Sequence, residues 1–245
     1  MDNMLYIAMT GARETSLAQA TAANNLANAK TTGFKAELAQ FRSMPIYGEG
    51  LPSRVFAMTE RPGNNFDSGS KVTTGRNLDI AIRGEGWFVT QNENGEELLT
   101  RRGDLKISPN GAITNGAGHP ILGDGGPIAL PPFEKIDIAK DGTITILPLG
   151  AEANATAIVD RIRMVNPELS DLEKNEQGLF KSREGNAFLP DAAVTLDSGV
   201  LEGSNVSIVE ELTNMISLSR QFEVQIKLMN SVEERGQSLD RLLQP

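Results

Sequence analysis

Both ends of the chain carry small and apolar residues at alternating steps of three and four, a spacing that keeps one side of a helix facing a partner helix. In the N-terminal segment the stripe comprises Leu5, Ala8, Ala12, Thr15, Gln19, Ala22 and Leu26. In the C-terminal segment it comprises Ile208, Leu212, Met215, Ser219, Phe222, Ile226 and Met229. The pattern predicts one helix from about residue 3 to residue 28 and another at the C-terminus.

The two stripes differ in side-chain size. The N-terminal stripe is rich in Ala, Thr and Gln, whereas the C-terminal stripe carries Leu, Met, Phe and Ile. A seam of small residues accepts a bulky partner, and an isolated amphipathic helix gains most of its stability from packing. We therefore expect the helices to pair in a coiled-coil-like manner and to leave apolar surface for neighbouring subunits. Periodicity alone does not separate this arrangement from a helical core within one chain, but bringing both chain ends to one side suits polymerisation.

The C-terminal helix has a predicted start and a predicted irregularity. Ser207 and Glu210 match a capping box, in which each side chain accepts a hydrogen bond from the backbone N–H of the other residue. After Met229 the stripe resumes at Val232, one position earlier than a strict heptad places it. The sequence thus predicts local overwinding or a change of partner near Val232.

Between residues 78 and 149 apolar residues recur at every second position, which indicates β-strands. The alternating runs flank three turn dipeptides, Asn94-Gly95, Asn110-Gly111 and Asp141-Gly142. Such dipeptides supply the positive φ angles of tight hairpin turns. A further strand is predicted at residues 157–165. We expect a compact antiparallel β-domain that folds by itself.

Residues 34–75 follow neither period. Glycine and proline interrupt this segment, yet it carries several aromatic residues, in which disordered linkers are poor. We expect ordered, extended structure there.

The predicted fold class is α+β, in which paired terminal helices flank a central antiparallel β-domain. The predicted divisions are an N-terminal helix in 1–33, an extended linker in 34–75, the β-domain in 76–201 and the C-terminal helix in 202–245.

The composition disfavours several classes of function. A formal net charge of −9 opposes binding to nucleic-acid phosphates. The chain has no cysteine and one histidine, His119, in a predicted turn, so zinc sites and nucleophilic triads are not expected. The carboxylates of Glu96-Glu97 and Glu233-Glu234 diverge in a strand or helix and do not converge on one substrate atom. We expect no enzyme activity, no metal and no cofactor.

The N-terminus lacks a basic segment followed by an apolar core, and no apolar run approaches the roughly 18 residues of a membrane span. We therefore expect neither a Sec-type signal peptide nor direct membrane insertion. The sequence is compatible with export from the cytoplasm by a route that does not use a cleavable signal peptide.

Asn24 and Asn25 stand near the end of the first predicted helix, where asparagine competes for backbone hydrogen bonds. The pair indicates either fraying of the helix end or a polar contact with another element.

Several motifs, in the same order along the chain, resemble those of the bacterial flagellar rod and hook protein family. Asn-Asn-Leu-Ala-Asn at 24–28 and Thr-Thr-Gly-Phe-Lys at 31–35 resemble the family's N-terminal signature. Residues 78–88 resemble the strand that enters the family's β-domain, and Thr-Arg-Arg-Gly at 100–103 resembles the hairpin that follows. Leu-Glu-Gly-Ser-Asn-Val at 201–206 is similar to the segment ahead of the family's C-terminal helix. The likeness covers essentially the whole chain.

The resemblance implies a structural subunit of the flagellar basal-body rod, required for flagellum assembly and motility. In that family the paired helices form the inner tube of a hollow rod and the β-domain lies outside. The implied partners are other copies of the chain, neighbouring rod proteins including the distal-rod protein, and the flagellar export apparatus. The implied location is the rod that spans the periplasm, reached by type III export without a cleaved signal. Residues 5–12 look more like proximal-rod than distal-rod members.

On this interpretation the two asparagines pack between subunits. The expected subunit-packing residues are Leu5, Ala8, Ala12, Asn24, Asn25, Leu26, Ile208, Leu212, Met215, Phe222, Ile226 and Met229. One alternative is a distal-rod paralogue. Another is a periplasmic peptidoglycan-modifying protein, for which the sequence offers no convincing carboxylate pair. A third is an export chaperone, against which the β-domain counts.

Overall fold

The computed structural model describes residues 2–45, 55–152, 155–175 and 177–243. Helix α1 spans Asp2–Ala27 and helix α2 spans Ile208–Leu243, with an antiparallel β region between them. This confirms the α+β class and both predicted helices. A short 3-10 helix lies at Leu169–Asp171. The strands are β1 Glu37–Pro45, β2 Val55–Asn64, β3 Lys71–Thr73, β4 Ile80–Arg83, β5 Trp87–Gln91, β6 Glu97–Thr100, β7 Lys106–Ile107, β8 Ile113–Thr114, β9 Leu122–Gly123, β10 Gly126–Pro127, β11 Phe133–Ile138, β12 Thr143–Pro148, β13 Ala157–Arg161, β14 Met164–Val165, β15 Leu172–Lys174, β16 Phe180–Ser182, β17 Thr195–Ser198 and β18 Val200–Glu202.

The contacts divide the chain into two compact units. Unit 1 comprises Met1–Ala29, Ala36–Asn65 and Val206–Pro245. Unit 2 comprises Lys30–Lys35 and Phe66–Asn205. Unit 2 therefore takes in a short passage of chain that follows α1 and the passage that leads into α2.

Unit 1 contains the two helices and one long hairpin. Helices α1 and α2 contact each other, and both strands of the β1–β2 hairpin contact α1. The hairpin runs antiparallel from the Glu37 and Asn64 pair to the Pro45 and Val55 pair, with an irregularity between Leu38 and Gln40. It lies in the segment predicted to be extended. A two-stranded hairpin is marginal in water by itself, so its packing on α1 contributes to its stability.

Unit 2 is built from several small antiparallel sheets. The largest has the strand order β14-β5-β6-β16-β15, and a second has the order β11-β12-β13. Strand β4 pairs with β17, and β3 pairs with β18, so early and late segments of the chain meet in both pairs. The three hairpins predicted from turn dipeptides are confirmed as β5–β6, β7–β8 and β11–β12.

The hairpin turns of unit 2 share one geometry. In the loop at 92–96, the amide of Gly95 donates to the carbonyl of Asn92, and the amide of Asn92 donates to the carbonyl of Glu96. Only glycines have a positive φ among the described residues, which excludes type I′ turns there. The geometry is a type I turn followed by a left-handed glycine, and the same pair of bonds closes the loops at 92–96, 108–112, 115–119, 139–143 and 175–179.

Two apolar clusters fill unit 2. The larger one is rich in isoleucine and takes its strand residues from several strands between β4 and β17, including Ile80, Ile138 and Ile144. The smaller one surrounds Trp87 and Phe180, whose rings lie 4.8 Å apart between centroids. The alternating burial along β12 follows the period of two predicted from the sequence.

Candidate functional site: the helix pair and a buried ion triad

The face of α1 that packs on α2 consists of small residues. Ala18 and Ala22 are buried against Leu218 of α2, and these three residues form one apolar cluster. Small residues of α1 thus meet a large residue of α2, as expected, but of these three residues only Ala22 belongs to the predicted stripes. The positions of α2 that are buried or half-buried in this unit include Glu211, Met215, Leu218, Phe222, Gln225, Met229 and Val232.

These positions of α2 keep alternating steps of four and three through Val232. The predicted irregularity near Val232 is therefore wrong. It arose because the predicted stripe was aligned on Ile208 and Leu212, which the structure leaves exposed, instead of on Glu211 and Leu218.

A polar contact lies in the seam beside the apolar cluster. The Thr15 hydroxyl lies 2.8 Å from the carbonyl oxygen of Gly11 and 3.2 Å from Oε1 of Gln225, and it donates to them. The Gln225 side chain covers Gly11, and a Cβ at that position would lie 2.8 Å from the Gln225 amide nitrogen. A larger residue at this turn of α1 would require the Gln225 side chain to move.

Asn25 joins three elements of unit 1. Its Nδ2 donates to the Glu37 carbonyl at 2.8 Å and to Glu211 Oε1 at 2.8 Å, while its Oδ1 accepts from the Glu37 amide at 2.9 Å. The buried side chain thus links α1 to β1 and to α2. Asn24 is exposed. For Asn25 the structure shows the polar contact with another element, and its packing between subunits stays a prediction.

The structure places the remaining predicted packing residues as follows. Ala8 and Ala12 are buried, whereas Leu5 and Leu26 are half-buried. In α2, Met215, Phe222, Ile226 and Met229 are half-buried. Ile208 and Leu212 are exposed, together with Val209 and Ile216. The first half of α2 therefore carries a second apolar face besides the one that packs within the unit.

The predicted start of α2 is confirmed. The helix begins at Ile208, and the Ser207 carbonyl accepts from the Glu211 amide at 3.0 Å. The Ser207 hydroxyl lies 3.5 Å from the Glu210 amide, a long and weak capping contact.

In unit 2 three charged side chains are buried together. Lys35 Nζ lies 2.7 Å from Glu202 Oε1, and Arg101 Nη1 lies 3.1 Å from Glu202 Oε2. All three side chains are almost fully shielded from solvent. We call Lys35, Arg101 and Glu202 the ion triad. Because burying an unpaired charge is costly, this group is stable only when all three members are present.

Backbone carbonyls also accept hydrogen bonds from the two cations of the triad, while Arg101 Nε is buried without a hydrogen-bond partner. Lys35 Nζ also donates to the Asp67 carbonyl at 2.8 Å, and Arg101 Nη2 donates to the Gly84 carbonyl at 2.9 Å. The Arg101 guanidinium carbon lies 5.3 Å from the centroid of the Trp87 ring, within the range of a cation–π contact. Burial lowers the pKa of Lys35 below its ordinary value, and the hydrogen bond to Glu202 opposes that shift.

Gly33 allows the chain to approach the triad. It has a φ of +68°, and a Cβ there would lie 2.4 Å from the carbonyl carbon of Arg101. Its amide donates to the Glu202 carbonyl at 2.8 Å. Both the backbone conformation and the space available therefore require glycine at this position.

Sequence reasoning missed the triad. The signal was available, since Lys35, Arg101 and Glu202 each lie in one of the motifs at 31–35, 100–103 and 201–206. Charged residues are ordinarily exposed, whereas these three motifs converge on one buried site. Their convergence accounts physically for the residue types in them.

The histidine and the acidic groups do not form a metal centre in the part of the chain that the structure describes, which contains no group of three or more His, Asp or Glu placed to hold a metal ion. His119 lies in the loop at 115–119, where its amide donates to Asn115 Oδ1 at 3.0 Å, so the predicted turn is confirmed. None of the described helices is long and apolar enough to cross a membrane.

Three family descriptions match this chain. "Flagella basal body rod protein" matches residues 5–35, "Flagellar hook protein FlgE/F/G D1 domain" matches residues 81–146, and "Flagellar basal body rod FlgEFG protein C-terminal" matches residues 197–242. The first includes most of α1 and continues to Lys35, the third includes β18 and most of α2, and the second lies within unit 2.

Full-length relatives carry names from the same family. The flagellar basal-body rod protein FlgF of Salmonella typhimurium is 39% identical over 249 residues, covering 99% of each chain. FlgF of Escherichia coli is 38% identical with the same coverage. A flagellar basal-body rod protein named FlgG, from Buchnera aphidicola, is 29% identical over 97% of this chain and 98% of its own.

Proposed function

The chain belongs to the flagellar basal-body rod protein family, and we infer from this membership that it is a structural subunit of the rod of the bacterial flagellar basal body. We propose that it joins the rod through its terminal helices, and that flagellum assembly and motility require it. Its place in the cell is then the basal body, in the rod that spans the periplasm.

The second apolar face of α2 is the observation that carries this proposal. Val209, Leu212 and Ile216 are spaced by three and four residues and are all exposed. Glu211, Met215 and Leu218 occupy the other positions and contribute to the seam with α1. A helix with one apolar face in use and one free is suited to contact a further helix.

Helix α1 and the β1–β2 hairpin also expose large apolar side chains. Tyr6, Met9 and Leu17 of α1 are exposed, as are Phe41 and Met58 of the hairpin. Burying a large apolar side chain contributes roughly 1.5 to 3 kcal/mol. Several such contacts on each copy provide many weak interactions, which favour a polymer over a stable monomer with this much apolar surface exposed.

The proposed packing between copies is coiled-coil-like, with the helices of neighbouring subunits inserting side chains between one another. The proposed partners are other copies of this chain and the neighbouring rod proteins, among them the distal-rod protein. The subunit is delivered by the flagellar export apparatus.

A proximal position in the rod is favoured over a distal one by the relatives. The relatives named FlgF from Salmonella typhimurium and Escherichia coli are 39% and 38% identical to this chain, above the 29% of the relative named FlgG, whereas FlgF from the same Buchnera aphidicola as that FlgG is 28% identical. The proposed role is mechanical and involves no catalytic turnover, because the relatives that match over the full length are named as rod proteins.

The test is to change the free face of α2 without touching the seam. In cells that lack the native copy, the Leu212→Asp and Ile216→Asp double variant should be exported but should fail to restore swimming, because two charges replace apolar contacts between copies. The matched control is Asn214→Asp, an exposed polar position in the same turn, which should restore motility.

Circular dichroism of the purified double variant separates loss of assembly from loss of folding. Its helical content and its melting temperature should equal those of the unaltered chain. Normal swimming and complete basal bodies with the double variant would show that this face is dispensable and that the proposal is wrong.

A further inference from the structure

The ion triad connects three segments that lie far apart in the chain. Lys35 and Glu202 are separated by 167 residues, and Arg101 and Glu202 by 101 residues. The backbone joins the same segments, since the Gly33 amide donates to the Glu202 carbonyl at 2.8 Å and the Asn205 amide donates to the Phe34 carbonyl at 3.4 Å. The passage that leaves α1 and the passage that leads to α2 therefore lie side by side within unit 2.

Glu202 contacts both cations of the triad. Its two carboxylate oxygens are divided between them, with Oε1 bound to Lys35 and Oε2 bound to Arg101. Oε1 also accepts from the Gly69 amide at 3.2 Å. When Glu202 is absent from this position, two buried like charges face each other across the space that it occupied. Burial is already unfavourable for the charged form of Lys35.

Glu202 also lies near the C-terminal end of unit 2 in sequence. It ends β18, the last strand, and every other strand of unit 2 precedes it in sequence. The larger apolar cluster of unit 2 draws its strand residues from β4 to β17, so it does not need the segment at 200–205. Once β17 has paired with β4, residues 200–205 follow directly in sequence, and they dock against β3, Gly33 and the two cations, all of which precede them in the chain.

We propose that docking of Glu202 between Lys35 and Arg101 is the closing step in the folding of unit 2. The strands assemble around the apolar clusters first, with the two cations still hydrated. The segment at 200–205 then docks, and Glu202 allows the cations to be buried. Unit 2 of a chain that emerges N-terminus first thus stays open at this point until residue 202 is available.

The test measures folding and unfolding rates of the full-length chain in urea by fluorescence. Trp87 is the only tryptophan and lies beside Arg101, so its emission reports on the triad. Glu202→Gln keeps the shape of the side chain and removes its charge. If docking is the closing step, this variant unfolds about 100-fold faster and refolds within about twofold of the unaltered rate.

A second variant tests whether the defect arises from unpaired charge. Lys35→Met combined with Glu202→Gln leaves one buried cation instead of two, so this double variant should unfold about tenfold more slowly than Glu202→Gln alone. It also provides a chain for measurement if the single variant does not fold. The control is Glu173→Gln, which alters an exposed ion pair with Lys181 in the same unit and should change both rates less than about twofold.

Two results would overturn the proposal. If the loss of stability in Glu202→Gln appeared entirely as slower refolding, with the unfolding rate unchanged, Glu202 would dock early. A double variant that unfolds faster than Glu202→Gln would mean that side-chain packing, and not charge pairing, makes Glu202 necessary. The inference does not rest on the proposed rod function, since both rates are measured on the isolated chain.

Discussion

Units 1 and 2 use apolar side chains in opposite ways. In unit 2 two large apolar clusters are enclosed, and Phe88, Leu99 and Ile144 have no exposed surface, while single residues such as Leu149, Ile158 and Leu189 lie exposed outside these clusters. In unit 1 the buried apolar cluster consists of Ala18, Ala22 and Leu218, while many larger residues of the helices and hairpin stay exposed. Unit 2 is stabilised by contacts within itself, whereas much of the apolar surface of unit 1 remains available for contacts with other molecules.

The two units also differ in where their polar side chains lie. In unit 2 the ion triad is buried and binds only groups within the unit, so it contributes to the fold. In unit 1 the polar groups Thr15, Gln225, Asn25 and Glu211 lie in or beside the helix seam. Polar groups at such positions favour one pairing of two helices over others. Polar contacts therefore stabilise the fold of unit 2, whereas in unit 1 they favour one particular pairing of the helices.

The largest expected effect tests the difference in burial. Leu99→Ala should destabilise the chain by about 2 to 5 kcal/mol, because it opens a cavity in the enclosed cluster around Trp87. Leu228→Ala, on α2, removes a side chain that is 44% exposed and should change the free energy of unfolding by less than about 0.5 kcal/mol. Urea unfolding of both variants measures the contrast, and similar losses would remove the distinction between the units.

The next effect concerns the close approach of the chain to the triad. Gly33→Ala should cost about 2 to 4 kcal/mol, because it combines a left-handed backbone with a clash against Arg101. Gly185→Ala is the matched control, since Gly185 has a φ of +72° but a Cβ added there would meet no other atom within 4 Å. Thermal unfolding should show a clearly smaller loss for Gly185→Ala. Equal losses would mean that backbone conformation alone requires glycine at position 33.

A smaller effect is expected at the polar junction of unit 1. Asn25→Ala removes the hydrogen bonds to Glu37 and Glu211 and should cost about 1 to 3 kcal/mol. Asn24→Ala, at the exposed neighbouring position, should be nearly neutral. Hydrogen exchange of the α1 and β1 amides provides the measurement. Unchanged protection in Asn25→Ala would show that this junction does not stabilise unit 1.

The smallest effect is a pH dependence at the surface of unit 2. The hydrogen bond from Arg83 holds the pKa of Asp197 below its ordinary value of 3.8. A lowered pKa contributes stability above the ordinary value, and this stability is lost as the pH falls through the folded-state pKa. Asp197→Asn should therefore lower the melting temperature slightly at pH 7 and progressively less below pH 4. High salt should reduce the difference, since Arg83 is largely exposed. A difference that stays constant from pH 7 to pH 3 would contradict this assignment.

Local sequence patterns determined the secondary structure of this protein. Both helices follow from steps of three and four, the hairpins of unit 2 follow from alternation around Asn-Gly and Asp-Gly, and the start of α2 follows from Ser207. These features depend on residues within a few positions of one another. The left-handed glycines of these hairpins follow from the sequence for the same reason.

Only the tertiary structure decided which faces meet and which charges are buried. The side of α2 that packs on α1 carries Glu211 and Leu218 rather than Ile208 and Leu212, because α1 offers alanines to Leu218 and the Asn25 amide to Glu211. The ion triad joins residues separated by as many as 167 positions. A lysine, an arginine or a glutamate is ordinarily exposed, and its burial becomes favourable only when an opposite charge from a distant part of the chain lies within bonding distance.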